Sequence, residues 1–312
     1  MEVGGLHGRV SAFLLSSLKS AASQQYANQL ELFSNEMQAR GIQWRDLPED
    51  VLDWTVADFI VERYEASLSS SGLAASAQLV AALVKSNPRV RLTVSWKCLD
   101  TWRAKHPPVQ APAIPKLLWQ ATINYLMVVG QPHVAAIILL LFVAVLRASE
   151  GLGLTKSTLV RTAGAYVVLL GVTKRGMDQK VVVTDTFAVQ WLDKFFEQYE
   201  PHSDGRLFPV SYNRINYWLQ KAALHFGYGH LRWTSHSLRR GGATSMLLEG
   251  IGFKDVQLYG RWLSERSCRE YLRKGEVSML RDDAKVSVEC RRRLELLGSL
   301  GLTVFSLVPK SA

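Results

Sequence analysis

Cysteine is scarce in this chain of 312 residues: Cys98, Cys268 and Cys290 stand far apart, with no CxxC pair. That spacing argues against a disulfide scaffold or a thiolate zinc site and suits a reducing compartment. Long apolar runs are also missing. Ala135–Leu146 is too short to span a bilayer and reads as a buried core helix, and no signal peptide opens the chain. There is no P-loop, no clustered His/Asp ligand motif, no internal repeat and no low-complexity tract. Kinase-like and metal-dependent nuclease chemistry therefore lack their usual residues, and neither a metal nor a nucleotide cofactor is expected.

What is present is an ordinary globular composition, 48% hydrophobic and 21% charged, with length enough for two domains. The net charge of +10 is unevenly spread. Residues 1–107 hold 11 basic and 11 acidic side chains, whereas residues 108–312 hold 26 and 16. A surface of that kind attracts polyanions such as nucleic acid by releasing their condensed counterions, although a generic basic surface gives the same count.

The first third reads as helices over Ala21–Arg40, Val51–Leu68, Leu73–Lys85 and Val94–Lys105, with no strand signal. His106–Pro115 then carries four prolines in ten residues, and proline can neither donate an amide proton nor continue a helix. The charge asymmetry begins at the same place. These two signals predict a helical domain over 1–107, a linker over 108–115 and a second domain over 116–312. In the second domain, helices are expected at Lys116–Val129 and Pro132–Leu146. The β-branched runs Ala165–Val172 and Lys180–Thr184 then predict a hairpin. Helical patterns resume at Thr186–Glu200, Ser211–Phe226, Ser237–Glu249, Lys254–Trp262, Glu265–Lys274 and Val277–Leu297. The expected class is mainly α with one small antiparallel sheet.

Several chemistry-bearing residues stand in order along this second domain. Arg147, expected at the end of an apolar helix, precedes Glu150 by three residues in LRASEGLGL. Lys174 lies in the hairpin turn, in VTKRG, with Lys156, Arg175 and Lys180 as competitors. His236 and Arg239 form an H-x-x-R pair on one helix face in SHSLRRGGAT. Trp262 follows in LYGRW, and Tyr271 in SCREYLRKG; Tyr259 is the nearest rival tyrosine but precedes the tryptophan. Such a set suits cleavage of a phosphodiester without metal. Two guanidinium forks meet the charge of the pentavalent phosphorus, a phenol attacks, and other groups carry protons to and from the bridging oxygens.

The ordered set resembles the tyrosine recombinases, the phage-integrase family, over about Leu117–Lys274. The wording HSLRRGGAT and a tryptophan in place of a second histidine look more like mobile-element recombinases of the DIRS or crypton type. The resemblance implies catalytic roles for Arg147, Lys174, His236, Arg239, Trp262 and Tyr271. Arg147 and Arg239 would grip the phosphate, Lys174 would protonate the leaving 5′ oxygen, and His236 would handle the tyrosine proton. Trp262, a donor only, would stabilise, and Tyr271 would form a 3′-phosphotyrosine bond. Glu150 would orient a neighbour by hydrogen bonding. Arg214, Arg240, Lys254 and Arg261 are expected to contact DNA. Residues 1–107 would be a core-binding domain, and the partner would be double-stranded DNA held by a homotetramer on paired sites, with no membrane. In the family a terminal helix docks on a neighbouring protomer; packing within the chain is the simpler alternative here. The place of action would be the nucleus in a eukaryotic host and otherwise the cytoplasm or nucleoid. Two other functions stay open: a non-catalytic DNA-binding relic, and a relaxing enzyme of the type IB topoisomerase class.

Overall fold

The computed structural model describes residues 20–67, 69–107, 111–171, 179–200, 205–269, 272 and 287–308. The chain divides into two compact units, residues 1–109 and 110–312, so the boundary falls inside the proline-rich stretch.

The first unit contains helices α1 (Ser20–Ala39), α2 (Glu49–Ala66), α3 (Ser70–Ser86) and α4 (Thr93–Lys105). Pro48 precedes α2, where its missing N–H is harmless, and the Ser69 hydroxyl caps α3 by accepting from the Gly72 N–H at 3.1 Å. Residues Ser70–Gly72, which fall between the helices expected from sequence, are therefore the first turn of α3. Phe33, Met37, Val56, Ile60, Leu79, Leu83, Leu99 and Trp102 form the core. Helix α4 has no cap of its own, since Leu92 stands at that position. Asp53 of α2 supplies one instead. Its buried carboxylate accepts from the N–H groups of Val94 (2.7 Å) and Ser95 (2.9 Å) and from the Ser95 hydroxyl (2.7 Å). This satisfies donors that the start of a helix always leaves over.

The second unit is built around α5 (Lys116–Val128) and α6 (Pro132–Val143). Nine consecutive residues of α6, Val134–Phe142, are buried. A helix that is apolar all round belongs at the centre of a core, which settles the apolar run in favour of an interior helix. Next come the short α7 (Ala148–Leu152) and strands β1 (Leu159–Thr162), β2 (Ala165–Leu170) and β3 (Gln179–Val183). Helices α8 (Thr186–Gln198), α9 (Tyr212–His225), α10 (Ser235–Leu248), α11 (Phe253–Tyr259) and α12 (Val288–Ser299) complete the unit, and residues 265–269 are also helical. The sheet is antiparallel in the order β1-β2-β3. Alternation puts Leu159, Val168 and Val181 in register on the core face and leaves Val160, Leu169 and Val182 exposed. The mainly helical class with one small antiparallel sheet is as expected. Strand β1 was not, because only one of its four residues is buried and no alternation announces it.

Helix α10 lies close to α6 because glycine lets it. A Cβ at Gly242 would sit 2.0 Å from the Phe142 carbonyl oxygen. Its neighbours tie down the end of the proline-rich stretch: Arg240 donates to the Ala111 carbonyl at 2.6 Å, and the Ile114 N–H donates to the Ser237 carbonyl at 3.3 Å. With Ile114 fully buried, residues 111–115 form a strap on α10. Helix α12 packs on α5, where Asn124 donates to the Leu297 carbonyl at 2.7 Å. Of the helix expected over Val277–Leu297, the part before residue 287 lies outside the described residues.

Candidate active site

Two helices end at the site in the same way. At the end of α6, the Leu146 N–H donates to the Leu141 carbonyl and the Val145 N–H to the Phe142 carbonyl, both at 3.2 Å. At the end of α11, the Trp262 N–H donates to the Gln257 carbonyl (3.0 Å) and the Arg261 N–H to the Leu258 carbonyl (2.9 Å). Both are Schellman stops, which place one residue in the left-handed region. In α1, α5, α9 and α10 that residue is Gly41, Gly130, Gly227 or Gly250. In α6 and α11 it is Val145 (φ +48°) and Arg261 (φ +58°), the two non-glycine residues with positive φ among the described residues. Each pays a steric penalty of about 1–2 kcal/mol that glycine avoids.

These stops correct two expectations. Helix α6 ends at Val143 rather than Leu146, so Arg147 does not close it; Arg147 stands at the start of α7 instead. The helix expected over Lys254–Trp262 ends at Tyr259, so Trp262 emerges from a reversal of the chain. The first stop is hidden because Val145 lies inside the apolar run, and the second because its left-handed residue is Arg261 rather than glycine.

Glu150 is the hub of what these turns bring together. Its carboxylate accepts from the Arg147 backbone N–H (2.7 Å) and the Arg147 guanidinium (2.6 Å). It also accepts from the Arg261 guanidinium at 2.7 Å, and an Arg239 nitrogen lies 3.9 Å away. The side chains of Glu150, Arg239 and Arg261 are only 8%, 4% and 7% exposed, whereas Arg147 is 24% exposed and faces solvent. Burial alone would raise the Glu150 carboxyl. The Arg147 amide, the Arg261 charge and the Arg147 guanidinium outweigh it and hold the group below the ordinary carboxylate value. Arg239 and Arg261 both donate to the Val145 carbonyl, and Arg239 also donates to the Gly260 carbonyl. The unusual backbone at Val145 thus presents an acceptor to two buried guanidiniums at once.

Trp262 lies against the same cluster. The Arg239 guanidinium is 4.7 Å from the centre of the indole, and a Cβ at Gly260 would come within 1.7 Å of that ring. His236, the second residue of α10, is open to solvent yet crowded by protein. Burial and then the charges of Arg239, Arg240 and Arg147 lower it below its ordinary 6.5. Arg147, His236, Arg239, Trp262 and Glu150 are therefore brought together, and Arg261 joins them.

Lys174 and Tyr271 lie outside the described residues. Cys268 and Leu272, on either side of Tyr271 in sequence, are buried with Val145, Ala243 and Val256 in a small core of their own. Arg240 is 6% exposed and holds the strap, whereas Lys254 and Arg214 are exposed, Arg214 bonding Gln131 at 2.7 Å. Tyr259, the rival tyrosine, donates to the carbonyls of Val143 (2.9 Å) and Val182 (3.1 Å), and burial raises it far above an ordinary phenol. Arg261, expected to contact DNA, is tied to Glu150, a partner 111 residues away that sequence does not announce. Its only signal was a large residue directly after the glycine of LYGRW.

A cluster with one buried carboxylate and three guanidiniums keeps a positive balance, which is the requirement for receiving a phosphate. Among the described residues there is no group of His, Cys, Asp and Glu suited to a metal ion, and no helix is long and apolar enough to cross a membrane.

A model of the phage integrase family matches residues 120–276. Two solved structures share the fold. One is XerH site-specific recombinase bound to palindromic difH substrate in a post-cleavage complex, at 15% identity and TM-score 0.55, covering 82% of this chain and 77% of that one. The other is the Tn1549 transposon integrase in complex with transposon right-end DNA, at 14% identity and TM-score 0.59, covering 88% of this chain and 99% of that one. No curated protein matches the chain in sequence.

Proposed function

This chain belongs to the phage integrase family of tyrosine recombinases, and we propose that it is a site-specific DNA recombinase that cuts and rejoins strands through Tyr271. The observation that carries the reading is the meeting of Arg147, Arg239 and Arg261 on the single carboxylate of Glu150, with His236 within electrostatic reach of Arg147 and Arg239. The DNA complexes of the two structural neighbours support DNA as the partner.

On this reading Arg147 and Arg239 bind the non-bridging oxygens of the scissile phosphate, where negative charge grows as the phosphorus becomes pentavalent. The Tyr271 oxygen attacks phosphorus, its proton passes to neutral His236, and the bond to the 5′ oxygen breaks. Lys174 gives that oxygen its proton. Trp262 donates an indole N–H to the phosphate and, stacked on Arg239, holds the guanidinium in place. The 3′-phosphotyrosine keeps the energy of the broken diester, so attack by a 5′-hydroxyl rejoins DNA without a nucleotide. Cys268 and Leu272 are buried with Val145, whose carbonyl Arg239 and Arg261 share. Residues 1–107 clamp the duplex as a core-binding domain, and four protomers act on two paired sites. The exposed Arg214 and Lys254 add backbone contacts.

The test is covalent capture. Nicked suicide duplexes, drawn from a pool of randomised sequence, are mixed with the protein and resolved in denaturing detergent. A covalent adduct that survives excess chelator and disappears in Tyr271→Phe is the expected result. Tight binding without an adduct identifies a DNA-binding relic. Relaxation of supercoils by a monomer without any preferred site identifies a topoisomerase-like enzyme.

A further inference from the structure

We propose that Arg261 is a positioning residue for the cleavage reaction: it supplies the counter-charge of Glu150, so that Glu150 can fix Arg147 without competing with the phosphate for it. This inference rests on the recombinase reading of the same site.

Glu150 sets the geometry of Arg147 at both ends, through the backbone N–H at 2.7 Å and the guanidinium at 2.6 Å. A carboxylate so close to a phosphate-binding arginine is also a liability. It satisfies the same nitrogen fork that the DNA needs, and its charge repels the phosphate. The conflict is relieved if the carboxylate has a cation of its own that DNA does not touch. Arg261 fits that description. It meets Glu150 at 2.7 Å, it is 7% exposed, and its other nitrogen donates to the Tyr259 carbonyl at 3.1 Å. Arg147, by contrast, is the accessible member of the cluster, at 24%.

The backbone supplies a second, independent observation. Arg261 sits at φ +58°, at the Schellman position that four other helices of this chain fill with glycine. Glycine there would relax the turn, and the chain carries an arginine instead. The other left-handed non-glycine residue, Val145, accepts from Arg261 at 3.2 Å through its carbonyl, so the two strained turns are joined by the same guanidinium. Strain kept where it delivers a charged group to a site marks a position held for its side chain.

The test compares Arg261→Gly, Arg261→Lys and Glu150→Gln, singly and with Glu150→Gln added to Arg261→Gly. DNA affinity and single-turnover cleavage are measured on the captured suicide duplex. Arg261→Gly, which suits the turn, is expected to lower the cleavage rate about 10- to 100-fold while DNA affinity stays within a few-fold of wild type. Adding Glu150→Gln to Arg261→Gly removes the uncompensated charge and recovers part of the rate. Arg261→Lys, which keeps the charge, falls between wild type and Arg261→Gly. Wild-type cleavage by Arg261→Gly overturns the proposal. So does a loss in affinity that accounts for the whole loss in rate, since Arg261 would then be a DNA contact. If wild-type protein forms no adduct at all, it is the recombinase reading that fails. The Arg261–Glu150 pair is then read by a double-mutant cycle in denaturant unfolding, where additive effects overturn it and coupling sustains it.

Discussion

The two units each bury a carboxylate, and they satisfy it in opposite ways. Asp53 in the first unit is 5% exposed and takes its hydrogen bonds from two backbone amides and a serine hydroxyl. All of these donors are neutral, and all belong to the start of one helix, so Asp53 acts as a tertiary helix cap. Glu150 in the second unit, its side chain 8% exposed, is surrounded instead by three guanidiniums. A fold needs no such excess of cations, because burying several charges costs more than burying an apolar cluster of the same size. The first arrangement closes a helix. The second leaves positive charge for something else to complete.

Arg147→Ala should lower covalent capture about 100- to 1000-fold while the protein stays folded, as loss of a transition-state cation does. A comparable fall in DNA binding would place Arg147 outside the chemical step. Asp53→Ala should lower stability in denaturant by about 2–3 kcal/mol, because the amides at the start of α4 lose their acceptor. Cleavage by the folded fraction should not change, and the comparison breaks if it does. Gly242→Ala should also act on stability, by about 2 kcal/mol in a thermal melt, since a methyl group has no room against the Phe142 carbonyl.

The pH dependence sharpens the contrast further. His236 is held below its ordinary 6.5 by burial and by the charges of Arg239, Arg240 and Arg147, so it is neutral at pH 7 and ready to accept a proton. As pH falls it protonates later than an ordinary histidine would. The acid limb of cleavage at subsaturating DNA should therefore have its midpoint below 6.5 and vanish in His236→Ala. The smallest effects belong to the exposed cations. Lys254→Ala or Arg214→Ala should weaken binding by a few-fold on any sequence and reduce the salt slope by about one, with the cleavage step intact.

Much of this was legible in the chain. The proline-rich boundary, the interior helix over Val134–Phe142 and the pairing of His236 with Arg239 on one helix all follow from short-range pattern. The family itself was announced by the order of Arg147, His236, Arg239, Trp262 and Tyr271 along the chain. What pattern missed were the helix stops at Val145 and Arg261, because their residues give no turn signal and their geometry is imposed by neighbours far along the chain. Strand β1 escaped for a related reason: three of its four residues face solvent, and only its pairing with β2 defines it.

By itself, then, the sequence determined which groups this protein owns and where its helices lie, because periodicity and proline act over a few residues. Glu150 meets Arg147 three residues away, but only packing could bring Arg239 and Arg261 to the same carboxylate. Arg261 lies 111 positions further along the chain, and its 2.7 Å hydrogen bond to Glu150 exists only once the ends of α6 and α11 stand side by side.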